Sequence, residues 1–161
     1  MSDEQKAAQA KARSLWERAQ RYYEGGDLPR AAAALEEATN LDPDFGDAHY
    51  NLSEIYVQMG ELEDGLLHAD RAVDCKPQDA EAHNNRGAAL AQLERYDEAI
   101  EAFERAIELR PDFPMARYNL GGACYLCGRT DEAVRQWRIF LELSPDSQRA
   151  EEVREILQQL T

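Results

Sequence analysis

The chain has 161 residues, with 18 Lys and Arg against 32 Asp and Glu, a formal charge of −14. That charge excludes a protein that tracks nucleic-acid phosphates, which needs a basic face, and argues against docking on an anionic membrane. The length supports a sizeable core, and no apolar run reaches the roughly 18 residues needed to span a bilayer.

At the start of the chain, Met1 to Lys6 lacks the basic region and apolar stretch of a signal peptide. Residues 1–11 are polar and Ala-rich, which leaves two expectations: they extend the first helix, or they fray. Further along, Pro43, Pro77, Pro111 and Pro145 are spaced 34 residues apart. If the residue 31 positions before each proline is column 1, other columns fall into the same register. Column 8 is small (Ala19, Ser53, Gly87, Gly121), and so is column 20 (Ala31, Gly65, Ala99, Ala133). Column 24 holds Leu35, Ala69, Phe103 and Trp137. The chain therefore reads as repeats over 12–45, 46–79, 80–113 and 114–147 within a single domain, 1–161.

Each repeat predicts two helices, over columns 1–14 and 17–30. Between them lie Gly25-Gly26, Gly60, Glu94-Arg95 and Gly128, and glycine there supplies the positive φ that ends a helix. Each second helix stops at its proline. Small residues in columns 8 and 20 let the pair approach closely, and column 24 fills the space beside them. Gly65 and Ala69 make repeat two the loosest by this reading. After Pro145, Val153, Ile156, Leu157 and Leu160 follow helical spacing and predict a capping helix over 148–161, with Phe140 packed under it.

The pattern Leu120-Gly121, Tyr22, Tyr56, Ala99, Phe103 and Pro111 resembles the tetratricopeptide repeat family, with repeat three the nearest match. The family's early Trp is replaced by Leu15, His49, His83 and Arg117. The resemblance implies an all-α, right-handed superhelical solenoid of antiparallel helix pairs. It also implies a concave groove lined by the first helix of each pair, in which an extended peptide binds.

The columns expected to line that groove include Trp16, Glu17, Gln20, Tyr50, Asn51, Glu54, Asn84, Asn85, Met115, Tyr118, Asn119, Gly122 and Tyr125. Asn51, Asn85 and Asn119 share column 6 and resemble the asparagine ladder of peptide-binding members of the family. An Asn amide can grip both the N–H and the C=O of a passing backbone; the other reading has each Asn bond a neighbouring helix. Trp16, Tyr23, Tyr50, Tyr118 and Tyr125 are candidate aromatic anchors, while Tyr22 and Tyr56 belong to the core. Glu17, Glu24, Asp47, Glu54 and Glu81 face Arg13 alone, which favours a ligand with basic residues at one end and apolar ones at the other. A solvated acidic face is the plainer reading. Family members that clamp a C-terminal carboxylate do so with cations. The matching positions here are Trp16, Gln20, Asn51, Glu81 and Asn85, or Tyr50, Glu54, Asn85, Met115 and Asn119 in the next frame, and neither set contains a cation.

Signals for chemistry are weak. Cys124-Tyr125-Leu126-Cys127 has C-x-x-C spacing, but it lies in a helix without a second pair, and Cys124 occupies a core column. His49 and His83 stand 34 residues apart and could stack on adjacent repeats, with His68 on another helix. No phosphate loop, nucleophile elbow or carboxylate pair is present. The expectation is a non-enzyme with no catalytic residue, no metal and no cofactor. It would be a protein–protein adaptor or scaffold for an extended peptide, with no nucleic-acid or membrane partner. Self-assembly through groove or solenoid ends, or recruitment to an enzyme complex, is the alternative. Cys75, Cys124 and Cys127 form no disulfide framework, so the expected compartment is the reducing cytoplasm.

Overall fold

The computed structural model describes residues 1–160, which carry helices and turns and no strand. The chain divides into two compact units, Met1–Gln78 and the part from Asp79 onward. The first unit contains α1 (Asp3–Glu24), α2 (Leu28–Leu41), α3 (Gly46–Met59) and α4 (Leu62–Cys75). α1 packs on α2, α3 on α4, and α2 on α3. The second unit contains α5 (Ala80–Gln92), α6 (Tyr96–Leu109), α7 (Pro114–Leu126), α8 (Thr130–Leu143) and α9 (Gln148–Leu160). There α5 packs on α6, α6 on α7, α7 on α8, and α8 on α9.

Residues 3–11 extend the first helix. Ser2 caps α1 in a reciprocal box, its hydroxyl accepting from the Gln5 amide while the Gln5 side chain accepts from the Ser2 amide. Two orphan N–H groups are satisfied there, and Asp3 and Glu4 suit the positive end of the helix.

All four hairpin turns close with the same two bonds. In the first, Asp27 N–H donates to the Tyr22 carbonyl and Gly26 N–H to the Tyr23 carbonyl, both at 2.9 Å. The pair repeats at Glu61 and Gly60, Arg95 and Glu94, and Arg129 and Gly128. This six-to-one, five-to-two pattern needs one left-handed residue. Gly26, Gly60 and Gly128 supply it at φ 78°, 83° and 84°. Repeat three has no glycine there, and Glu94 takes φ 59° instead, a conformation that costs an L-residue roughly 1–2 kcal/mol.

Close approach at columns 8 and 24 is visible in the packing. A Cβ added at Gly121 would lie 2.4 Å from Trp137 Nε1, and one at Gly87 would lie 2.6 Å from Phe103 Cε1. In repeat one the same pairing is Ala19 with Leu35, both buried. Repeat two pairs Ser53 with Ala69, and the buried Ser53 hydroxyl finds no hydrogen-bond partner. A buried unsatisfied hydroxyl costs about 1–3 kcal/mol. Ser53→Ala, which copies Ala19, is therefore expected to raise stability by about 1 kcal/mol in urea denaturation. A fall in the urea midpoint would contradict this. At the chain's other end Ala150 and Val153 of α9 are buried, with Ile156, Leu157 and Leu160 half-buried, and Phe140 is 2% exposed.

Candidate interaction recesses

In the first unit, side chains bridge α1 and α3. Trp16 Nε1–H donates to Asn51 Oδ1 at 2.7 Å, and Gln58 Nε2–H donates to Tyr23 Oη at 2.8 Å. Both pairs span 35 residues, so each links one column to the next column of the following repeat. Below them lies a recess of about 170 Å³. Gln20, Tyr23, Glu24, Asn51 and Glu54 line it, above the buried apolar side chains of Ala19, Leu35 and Ile55. Tyr50 is half-buried, its hydroxyl donating to Glu54 Oε1 at 3.2 Å. Glu17 pairs with Arg13 at 3.8 Å instead of lining the recess.

The expected acidic face is smaller than the sequence suggests. Asp47 is paired with Lys76 at 2.5 Å, and Glu81 with Arg110 at 3.0 Å. Both cations come from column 31, just after a second helix, which the groove columns omitted. The signal was legible as opposite charges in columns 2 and 31 of repeats two and three. Exposed pairs of this kind add little stability, but they remove charge from the face. The first recess itself is lined by two further carboxylates, Glu24 and Glu54.

The second unit carries a recess of about 550 Å³. Ala88 and Ala91 of α5 and Gly122 of α7 keep it open, and Tyr118, Asn119, Tyr125 and Leu126 border it. Tyr125 is 43% and Leu126 61% exposed. A Cβ on Gly122 would meet nothing within 4 Å, so this glycine faces open space. Asn119 Nδ2–H donates to Asn84 Oδ1 at 3.0 Å, the same column relation as Trp16 and Asn51. Met115 sits half-buried in the first turn of α7, outside the recess lining. Sequence reasoning missed the contribution of α9, which it treated only as a lid. Glu152 and Ile156 line the recess. Glu152 accepts from the Tyr118 hydroxyl at 3.3 Å, while Arg149 lies 5.4 Å from the Tyr118 ring centroid. Burial, then Glu152, pushes that hydroxyl above the usual tyrosine range.

The column 6 asparagines Asn51 and Asn119 thus bond neighbouring helices. Each keeps capacity: Asn51 its two Nδ2 hydrogens, and Asn119 its carbonyl oxygen. Asn85 is only 8% exposed.

Tyr22 and Tyr56 are half-buried against the core of the first unit, as expected. Cys124 is fully buried, its thiol pushed up to about 11 by burial, and Cys127 Sγ–H donates to the Cys124 carbonyl. The His49 ring packs with His68 of its own repeat, Nδ1 to Nδ1 at 2.9 Å and centroids 5.2 Å apart. Among the described residues, no three or more His, Cys, Asp or Glu are grouped as a metal site would need.

Tetratricopeptide repeat models match residues 17–80, 80–113 and 114–138. No curated protein matches. Among solved structures the fold is similar to MamA, at 26% identity over 87% of this chain and 76% of that chain, TM-score 0.78. It is similar to the first such domain of Spaghetti (RPAP3) bound to the HSP90 peptide SRMEEVD, at 24% identity over 74% of this chain and 94% of that chain, TM-score 0.72. It is also similar to YrrB, described as having an unusual peptide-binding site, at 24% identity over 89% of this chain and 76% of that chain, TM-score 0.73.

Proposed function

Because the chain belongs to the tetratricopeptide repeat family, we propose that it is a non-catalytic adaptor that binds an extended protein segment on the recessed faces of its first helices. One observation carries this reading. In the second unit, small residues hold open a recess flanked by exposed Tyr125 and Leu126, where apolar surface is left uncovered beside the polar groups of Asn119 and Glu152. Interfaces favour such aromatic anchors beside polar groups. Tyr118, Tyr125, Asn119 and Gly122 would supply the side-chain pockets and backbone contacts.

The ligand carries apolar and basic residues. An acidic C-terminal peptide such as that seen with the RPAP3 domain suits this chain poorly. The net charge is −14, and the first recess presents carboxylates. Three free cysteines suit a reducing compartment such as the cytoplasm.

Gly122 allows a clean test. Selection of random peptides on the immobilised full chain supplies binders, which are then measured against Gly122→Leu. The added side chain enters open space, so the variant keeps its fold while filling the recess. A loss of affinity of about tenfold or more, with melting no lower than that of the wild type, is expected, equivalent to at least about 1.4 kcal/mol. Full binding by Gly122→Leu would move the site off this face.

A further inference from the structure

We infer that the recess of the first unit is a receptor for one basic side chain, preferentially arginine, of a bound segment. The inference rests on the adaptor reading, and it assigns that recess its own ligand chemistry. Four observations converge on it.

The first is size. About 170 Å³ is comparable to engineered cavities of about 150 Å³ that admit benzene, which is larger than a guanidinium. The second is the floor. Ala19, Leu35 and Ile55 are at most 2% exposed, and they offer an apolar bed for the methylene stem that an arginine extends beneath its charge.

The third is charge. Glu24 and Glu54 enter the recess from different helices. Glu54 already accepts the Tyr50 hydroxyl, but a carboxylate has about four acceptor sites. Glu24 is also the last residue of α1, at the negative end of the helix dipole, where an acid is disfavoured and a cation is drawn in. An acidic residue in that place opposes the stability of its own helix, as expected of a side chain kept for binding. The fourth is the wall. Tyr23 is 43% exposed, and Gln58 donates to its hydroxyl, which fixes the ring beside the carboxylates. A planar guanidinium can stack on that ring while bonding a carboxylate through two N–H groups; an ammonium cannot do both.

The test uses the full chain, isotopically labelled, titrated with a capped pentapeptide carrying arginine between alanines. Counterparts carry lysine, uncharged citrulline or norleucine. The arginine peptide is expected to shift resonances of Gln20, Tyr23, Glu24, Asn51 and Glu54 saturably. Lysine should bind several-fold more weakly, and citrulline and norleucine at least tenfold more weakly. Glu24→Gln should lose tenfold in arginine affinity while melting no lower than the wild type, because Glu24 is exposed and opposes the helix dipole. Norleucine binding as tightly as arginine, or shifts confined to other residues, would overturn the assignment. So would undiminished arginine binding by both Glu24→Gln and Glu54→Gln. The adaptor reading is judged separately by Gly122→Leu in the other unit, so either can fail alone.

Discussion

Gly87→Ala is expected to destabilise the second unit by about 1–3 kcal/mol, although alanine is the better helix former by about 1 kcal/mol. The added Cβ would lie 2.6 Å from Phe103 Cε1 and 2.7 Å from Cδ1. The Phe103 ring is 1% exposed and cannot swing into solvent. Two controls separate this steric cost from helix propensity. Gly122→Ala places its Cβ in open space on a helix of the same unit, so propensity alone acts, and stability should rise by about 1 kcal/mol. The second control is Gly87→Ala combined with Phe103→Leu, which recreates the Ala19 and Leu35 pair of repeat one. Phe103→Leu alone opens a void; together the two changes should cost less than their sum, with a coupling of about 0.5–3 kcal/mol. Urea denaturation of the four variants checks this. Additive costs would mean that columns 8 and 24 do not share one packing constraint.

Much of the fold was legible because a 34-residue period imposes the same physics four times. Proline stops each second helix, glycine turns three hairpins, and small columns admit large ones. Glu94 shows where local signals fail: the two closing hydrogen bonds hold a non-glycine residue in the left-handed region, which no propensity would choose. The recesses were legible in part. Column arithmetic found Gln20, Tyr118, Gly122 and Tyr125, because the first helices repeat their facing. It missed that Trp16 occupies the Asn51 carbonyl, and it overlooked the column 31 cations, Lys76 and Arg110, that neutralise Asp47 and Glu81. Those contacts join different columns, and a periodic reading compares each column only with itself. For the same reason α9 entered as a cover alone: outside the repeat register, nothing aligned Glu152 and Ile156 with a recess.

Stability should fall as pH drops below about 6.5, the ordinary histidine value, because of the pair in repeat two. The Pro43 carbonyl, 3.0 Å from His49 Nε2, can only accept, so that nitrogen carries a hydrogen. Neutral His49 then presents a bare Nδ1, and His68 donates its Nδ1–H to it across 2.9 Å. The Tyr56 ring stacks with His68, with centroids 5.7 Å apart, and the Tyr56 hydroxyl donates to Glu36. Burial holds both imidazoles below their ordinary range. At His49 the hydrogen bond to the Pro43 carbonyl opposes this most, ahead of Asp44 and Asp42, while Arg71 adds to it; at His68 the neighbouring His49 and Arg71 add to it, and Asp64 and Glu36 oppose it. Because the folded values are depressed, the unfolded chain binds protons first as pH falls through about 6.5. Stability is therefore full above that pH and declines below it until the folded pair is protonated. Two groups limit the slope to about 2.7 kcal/mol per pH unit. The carboxylates with lowered values, Glu37, Glu98 and Glu132, act only near and below 4.5, so the two windows separate. Urea midpoints measured between pH 7.5 and 5 should fall for the wild type and flatten for His68→Gln, which removes one titrating partner. Parallel curves for the two proteins would assign the pH dependence to other groups.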